Sequence, residues 1–441
     1  MIKLSDHFSY SKLLRYALPS IIMFVLSSTY GVIDGLFIGN FAGKTAFASV
    51  SFALPFLFIL DAIGLIFGTG GGALIAKTIG EKKREKANRI FSLLVYTSLV
   101  AGVLFTILGY VFLEPFLSFF GAEGALLKGC LTYGNIYLLA ITPSTIQLEF
   151  QSFFPVAEKP KIGLRITIIT GLINIFLDAL FIVIFKWGLM GAAIATTISK
   201  YTAGMIPILY FSRKNSSLLK LTKTHFDIRV LRKACSNGAS EFMTNVAVAT
   251  VGMLYNVQLL KYAGENGIAA YGVIMYVNMV FNAIFLGYAA GTSPIISYHL
   301  GARNYPELKN LRKKCMHIIL SFSLLMFIFS QVLARPLVES FFAYDQNLIE
   351  MTLQGFRIFC FSFIFVGFSI FGSSFFTALN DGFVSATISF SRSFLFQVLA
   401  VLILPIILGL NGIWGSIVLA EMMAAMVSLV FIIIKKKKYH Y

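Results

Sequence analysis

Runs of about 20 apolar residues follow one another along the whole of this 441-residue chain, broken only by short polar stretches. Each run is long enough to cross the ~30 Å hydrocarbon layer of a bilayer as an α-helix, which satisfies its own backbone hydrogen bonds in lipid. With 58% hydrophobic and only 12% charged residues, the chain has too little polar surface to cover itself in water. A transmembrane β-barrel would alternate apolar and polar residues in short segments, and no such alternation occurs. The fold class expected is an all-α polytopic membrane protein. No cleavable leader is expected, because the polar arm "MIKLSDHFSYSK" runs straight into the first apolar run. Reading between polar breaks places about twelve helices, near 13–38, 46–76, 88–112, 125–154, 162–185, 188–212, 236–261, 267–299, 312–334, 350–378, 383–409 and 412–434.

The formal net charge of +17 is explained by loops rather than by nucleic acid, which is not an expected partner. Alternate loops are basic: "EKKREKANR" (81–89), "EKPKIGLR" (158–165), the long segment 213–233 and "ARNYPELKNLRKK" (302–314), joined by the terminal "KKKK" (435–438). By the positive-inside rule, these loops and both termini are expected on the cytoplasmic side, which an even number of spans requires. The four cysteines (Cys130, Cys235, Cys315, Cys360) have no metal-ligand or CxxC spacing and read as small apolar residues. "GTGGGALIAKTIG" (68–80) lacks the Gly-Lys-Ser/Thr of a phosphate loop and lies inside a span, so its glycines point to close helix packing. No metal centre, cofactor or catalytic nucleophile–base pair is expected, and the chain does not read as an enzyme.

Shifting the chain by 221 positions superposes its halves almost without gaps. Ala42-Gly43 falls on Ala263-Gly264, Gly70 on Gly291, Gly80 on Gly301, Pro115 on Pro336, Ala157 on Ala378 and "GLMG" (188–191) on "GLNG" (409–412). An even number of helices per repeat means that both halves enter from the same side, related by an axis along the membrane normal. The expected domains are an N-lobe at 1–212, a cytoplasmic linker at 213–234, with a surface helix in "FDIRVLRK", and a C-lobe at 235–441. Parallel repeats of this kind are typical of transporters that rock one half against the other.

Two acids break the repeat. Asp34 falls on Tyr255 and Asp178 on Leu399, so the second half has no carboxylate at either position. A charge at the centre of a spanning helix costs about 2.5–3.5 kcal/mol on insertion scales, and such residues mark ion or proton pathways. Asn174 shares a helix face with Asp178, and Tyr30 shares one with Asp34. Thr196 lies on the following helix, and Pro19 can kink the first span. Gly31, Gly35 and Gly39 form a small-residue ridge for helix approach. The expected cation-coupling set is Asp34, Asn174, Asp178, Thr196 and Tyr30, with Pro19 as hinge. The acid pair can load and release protons or, ionised, hold Na⁺ with Asn174 and Thr196. Further polar candidates for the cavity are Asp61, Glu149, Lys200 and Glu241, with Lys200 expected to pair with Asp61 or Glu149. Arg357, Arg392 and Glu421 stay open between structural pairing and cavity lining.

This constellation resembles the MATE family, the multidrug and toxic compound extrusion transporters, and most closely its DinF-like branch. The branch's first-span proline, tyrosine and aspartate match Pro19, Tyr30 and Asp34; its fifth-span asparagine and aspartate match Asn174 and Asp178; its sixth-span threonine matches Thr196. The resemblance covers residues 10–435. It implies a V-shaped molecule with a cation site inside the N-lobe, exchanging H⁺ or Na⁺ for lipophilic organic cations in a bacterial inner membrane, as a monomer among lipids. A C-lobe cation site, as in another branch, is not expected, because "FIFVGFSIFGSSFF" (363–376) offers no acid to partner Glu241. The alternatives are a flippase for lipid-linked or specific metabolite cargo on the same fold, and a passive channel.

Overall fold

The computed structural model describes residues 2–342 and 346–441, and among these it is helical without a strand. We number the long helices α1 (Tyr10–Ala42), α2 (Thr45–Gly80), α3 (Arg84–Phe119), a two-part α4 (Gly124–Leu138 and Ile141–Val156), α5 (Pro160–Ile184), α6 (Gly188–Ser212), α7 (Ile228–Gly264), α8 (Asn266–Gly301), α9 (Tyr305–Glu339), α10 (Gln346–Ala378), α11 (Gly382–Leu408) and α12 (Leu410–Ile434). Ten of these are long and apolar enough to span a membrane, and the two parts of α4 together make an eleventh. The 25-residue α6 is long enough but more polar, because it carries Thr196, Thr197, Ser199 and Lys200. Outward-facing side chains such as Val332 and Ile406, 70% and 78% exposed, form the apolar belt that lipid covers.

Two departures from the sequence reading have local causes. The first is a 63° bend in α4. Pro143 has no N–H to give the carbonyl of Leu139, and the backbone tightens through an Ala140 N–H to Tyr137 carbonyl bond of 2.7 Å. The second is the linker. "FDIRVLRK" forms no separate surface helix but opens α7, where the Asp227 carboxylate accepts from the backbone N–H groups of Arg229 and Val230 at 3.0 and 3.3 Å. The α7–α8 turn falls at Gly264, whose φ of 61° and ψ of −153° suit glycine alone.

The repeat seen in the sequence reappears as geometry where the lobes meet. Gly80 packs on the backbone of Tyr298, and Gly301 on the backbone of Lys77. Gly70 packs on Gly238, and Gly291 on Ala17. Each pair of contacts maps onto the other by the 221-residue offset, so the lobes close across a pseudo-twofold axis. A Cβ at any of these glycines would collide with the other lobe, which is why the glycine-rich stretch 68–80 serves packing. These contacts lie at the end that carries both termini. Toward the other end Gly31 and Gly252, again 221 apart, have open space around them. The end that carries the glycine contacts is also strapped by the N-terminal arm. Leu4 donates its N–H to Glu158 of the first half at 2.6 Å, and Phe8 to Glu307 of the second half at 2.9 Å.

Candidate functional site

Small residues let α1 and α5 lie close together. The ring of Tyr30 packs directly over Gly171, so Tyr30 is a spacer between the two helices. This packing brings Asp34 and Asp178 close enough to act on each other electrostatically in the interior of the first half, with both oxygens of Asp178 free of any hydrogen bond. Asp178 is fully buried and ends the regular part of α5. A π-helical turn, Ala179–Ile184, follows it at once; such turns loosen the regular ladder and gather at functional positions. Asn174, one turn earlier, is buried with its amide nitrogen unpartnered, and Thr196 of α6 has a buried, unpartnered hydroxyl beside that of Tyr133. Asp34 and Asp178 thus come together, with Asn174 one turn from Asp178 and Thr196 beside Tyr133, which the two acids also reach electrostatically. Pro19 is buried, but α1 runs through it without a break and departs from regular helix only at Ile38–Ala42. Of the glycine ridge, Gly35 and Gly39 receive the ring of Phe47 from α2, whereas Gly31 receives nothing.

A second polar group adjoins the first. Asp61 of α2 accepts from the hydroxyls of Tyr137 and Ser144 at 3.1 and 2.8 Å, through one oxygen, leaving the other buried and unpartnered. Tyr137 stacks on Tyr133 with ring centroids 5.9 Å apart, linking Asp61 to the neighbourhood of Thr196. Sequence reasoning missed Tyr133, Tyr137 and Ser144. The signal was a pair of tyrosines one turn apart in a span beside three polar residues. Lys200, one turn beyond Thr196, lies within electrostatic range of Asp61 and Asp34. The expected ion pair is absent: among the described residues no carboxylate comes within ion-pair distance of Lys200. Glu149 is no partner either. It is fully buried between Gly68 and Ser98, with both carboxylate oxygens unpartnered.

The second half is arranged differently. Glu241 faces a cavity between the lobes, together with Arg392. Arg392 sits in a π-helical turn, Ser391–Leu395, and meets both carboxylate oxygens of Glu421 at 3.0 Å. Glu421 also accepts from the hydroxyl of Ser369 at 2.8 Å. Arg392 and Glu421 are therefore a structural pair, and Arg357 is exposed at the side of α10.

A family model described as MatE matches the chain twice, at residues 19–180 and 242–403. Among curated proteins, Multidrug export protein MepA of Staphylococcus haemolyticus is 25% identical over 426 residues, covering 95% of this chain and 92% of the relative. MepA of Staphylococcus aureus is 24% identical over 427 residues, covering 96% and 93%. Two solved structures share the fold with a TM-score of 0.93 and 20% identity each. One is MATE in complex with MaL6, covering 98% of both chains. The other is an outward-facing conformation of a multidrug resistance MATE family transporter of the MOP superfamily, covering 98% of this chain and 97% of that one. The doubled match falls on the two halves that meet at the glycine contacts, and the chain belongs to the MATE family of multi-pass membrane transporters.

Proposed function

We propose that this protein is a multidrug exporter that exchanges H⁺ or Na⁺ for organic cations by alternating access, through the carboxyl pair Asp34–Asp178. The observation that carries this reading is the approach of two membrane acids, where both oxygens of Asp178, one of Asp34, the Asn174 amide nitrogen and the Thr196 hydroxyl are buried without a partner. Buried polar groups are otherwise nearly always paired. A site that alternates between empty and occupied must leave some of its groups unpaired in one state. The names of the MepA relatives support small-molecule cargo. The match of Asp34, Asn174, Asp178 and Thr196 to the DinF-like pattern supports placing the coupling site in the N-lobe, within residues 1–212. The basic loops favour cytoplasmic termini, in a bacterial inner membrane, which would put the end with the glycine contacts on the cytoplasmic side.

α1 is the element through which the two sites communicate. It carries Asp34 into the coupling site and Phe24 into the wall of the interlobe cavity. Loading the acid pair changes how α1 packs on α5 and so reshapes that wall. H⁺ is the favoured coupling ion, because two neighbouring buried carboxyl groups disfavour a second negative charge. The test uses purified protein in liposomes loaded with ethidium, under an imposed H⁺ or Na⁺ gradient. Efflux driven by one gradient supports exchange and identifies the ion; efflux indifferent to both contradicts it.

A further inference from the structure

At the end that carries both termini, the linker is laid back along the start of α3. The backbone N–H of Lys220 donates to Asn88 at 3.1 Å, and that of Thr222 to Ser92 at 2.8 Å. The Thr224 hydroxyl donates to the carbonyl of Arg89 at 3.1 Å. Between linker and helix lies a groove of about 670 Å³, walled by residues within 82–93 on one side and by Thr224, His225, Asp227 and Val230 on the other.

The charge of this groove is one-sided. Lys82, Lys83, Arg84, Lys86 and Arg89 line it, against Glu85 and Asp227. Some of these groups are already engaged. Lys83 pairs with Glu81 at 2.9 Å, Arg84 donates to the carbonyls of Ser217 and Leu218 at 3.1 Å, and Asp227 caps α7. Among the described residues the side chains of Lys82, Lys86 and Arg89 have no ion-pair or hydrogen-bond partner. Only Glu85 stands against these three, so the groove is positive. The start of α3 adds to this: no side chain caps it, and its first N–H groups stay open to an anion.

Depth decides which anion the groove meets. Arg89 is exposed on the face of α3 that also carries Tyr96, Val100, Val103 and Ile107, part of the apolar belt that lipid covers. Tyr96 lies about 10 Å further along the helix, so Arg89 stands at the level where lipid headgroups begin. On the linker side, Phe226 is 73% exposed between the groove-lining His225 and Asp227, and Ile228 is 49% exposed beyond them. Large apolar side chains left open beside a basic groove at this depth suit the membrane interface. A soluble anion would use the basic side chains but not this apolar edge.

We infer that the groove is a binding site for an anionic phospholipid: Lys86, Arg89 and the open first turn of α3 receive the headgroup phosphate, while Phe226 and Ile228 lie against the upper part of the acyl chains. A lipid bound there fastens the linker to the first half. This goes beyond the exporter reading and does not depend on it.

The N–H groups of residues 223–227 have no hydrogen-bond partner among the described residues, so they exchange quickly unless something covers them. The experiment is hydrogen exchange of the purified full chain in nanodiscs of phosphatidylcholine, of phosphatidylcholine with phosphatidylglycerol, and of phosphatidylcholine with glycerol 3-phosphate in the buffer. Phosphatidylglycerol should slow exchange at 223–227 by about tenfold, and glycerol 3-phosphate should not. Lys86→Gln with Arg89→Gln should abolish the slowing, and Phe226→Ser should weaken it. Lys309→Gln with Lys313→Gln, in a basic loop of the other half, should leave it intact. Exchange elsewhere in the chain reports that each variant is folded. No slowing in the wild type, or slowing that survives the Lys86 and Arg89 changes, overturns the inference. Equal slowing by glycerol 3-phosphate marks a soluble-anion site, and loss of slowing in the Lys309 and Lys313 variant marks a general charge effect; either also overturns it.

Discussion

The two halves share a scaffold and differ in how they treat its polar positions. In the first half, Asp34, Asp178 and Lys200 leave buried oxygens without partners or stand without an ion pair. In the second half the same positions are satisfied or apolar. Tyr255, the counterpart of Asp34, donates to Gln397 at 2.9 Å, and Leu399 replaces Asp178. Glu421, the counterpart of Lys200, is closed by Arg392 and Ser369. At these paired positions the second half is closed and the first keeps open valences. A duplicated transporter needs rigid surfaces on both sides of its cleft, but one exchangeable site is enough to drive it.

The largest effect expected from this contrast is on coupling. Asp178→Asn or Asp34→Asn should reduce gradient-driven ethidium export to background, whereas Tyr255→Phe and Leu399→Ala should leave it near the wild-type rate; parallel liposome assays make the comparison. Loss of export in the C-lobe variants as well would erase the distinction between the lobes. Next in size is a stability effect in the opposite half. Arg392→Met leaves Glu421 charged and buried, and should cost about 3–5 kcal/mol, while Arg392→Met with Glu421→Leu should recover most of it. Thermal unfolding in detergent measures this, and an unchanged single variant would refute the fixed-pair assignment.

Smaller still are the glycines at the closed end. Because their contacts are reciprocal, Gly80→Leu and Gly301→Leu should destabilise that end by similar amounts, about 1–3 kcal/mol each by overpacking. Clearly unequal losses in the same melts would argue against the pseudo-twofold closure. The smallest effect concerns the strap. Burial raises the Glu158 carboxyl above its ordinary 4.5, and the N–H of Leu4 offsets this only in part. A raised native value gives stability that is complete below the ordinary one and fades as pH rises through the native one. Proteolytic nicking of the arm should therefore increase with pH above about 4.5 in the wild type, and Glu158→Gln should flatten the dependence.

Much of this architecture was legible in the sequence because lipid imposes a blunt requirement. Each apolar run became a helix, and the 221-residue offset became the paired contacts of Gly80 with Tyr298 and Gly301 with Lys77. Asp34 and Asp178 stood out because carboxyl groups in a span are rare, and the structure brings them together. What was not legible depends on three-dimensional registry. The bend in α4 that turns Tyr137 and Ser144 toward Asp61 follows from Pro143 and its setting, and the unpaired state of Lys200 cannot be read from charge alone. The strap of residues 4–8 escaped notice because its bonds come from backbone N–H groups, which carry no sequence signal. The same holds for Arg392 and Glu421, which are 29 residues apart and paired only by the fold.

The most direct test of the central claim measures the ion itself. Proteoliposomes carrying an internal pH dye would report H⁺ movement while ethidium is exported, for the wild type and for Asp178→Asn, with ethidium binding measured on the same preparations. The account predicts H⁺ movement locked to export in the wild type, and neither H⁺ movement nor export in Asp178→Asn despite wild-type binding. Export with undiminished ion movement in Asp178→Asn would contradict it.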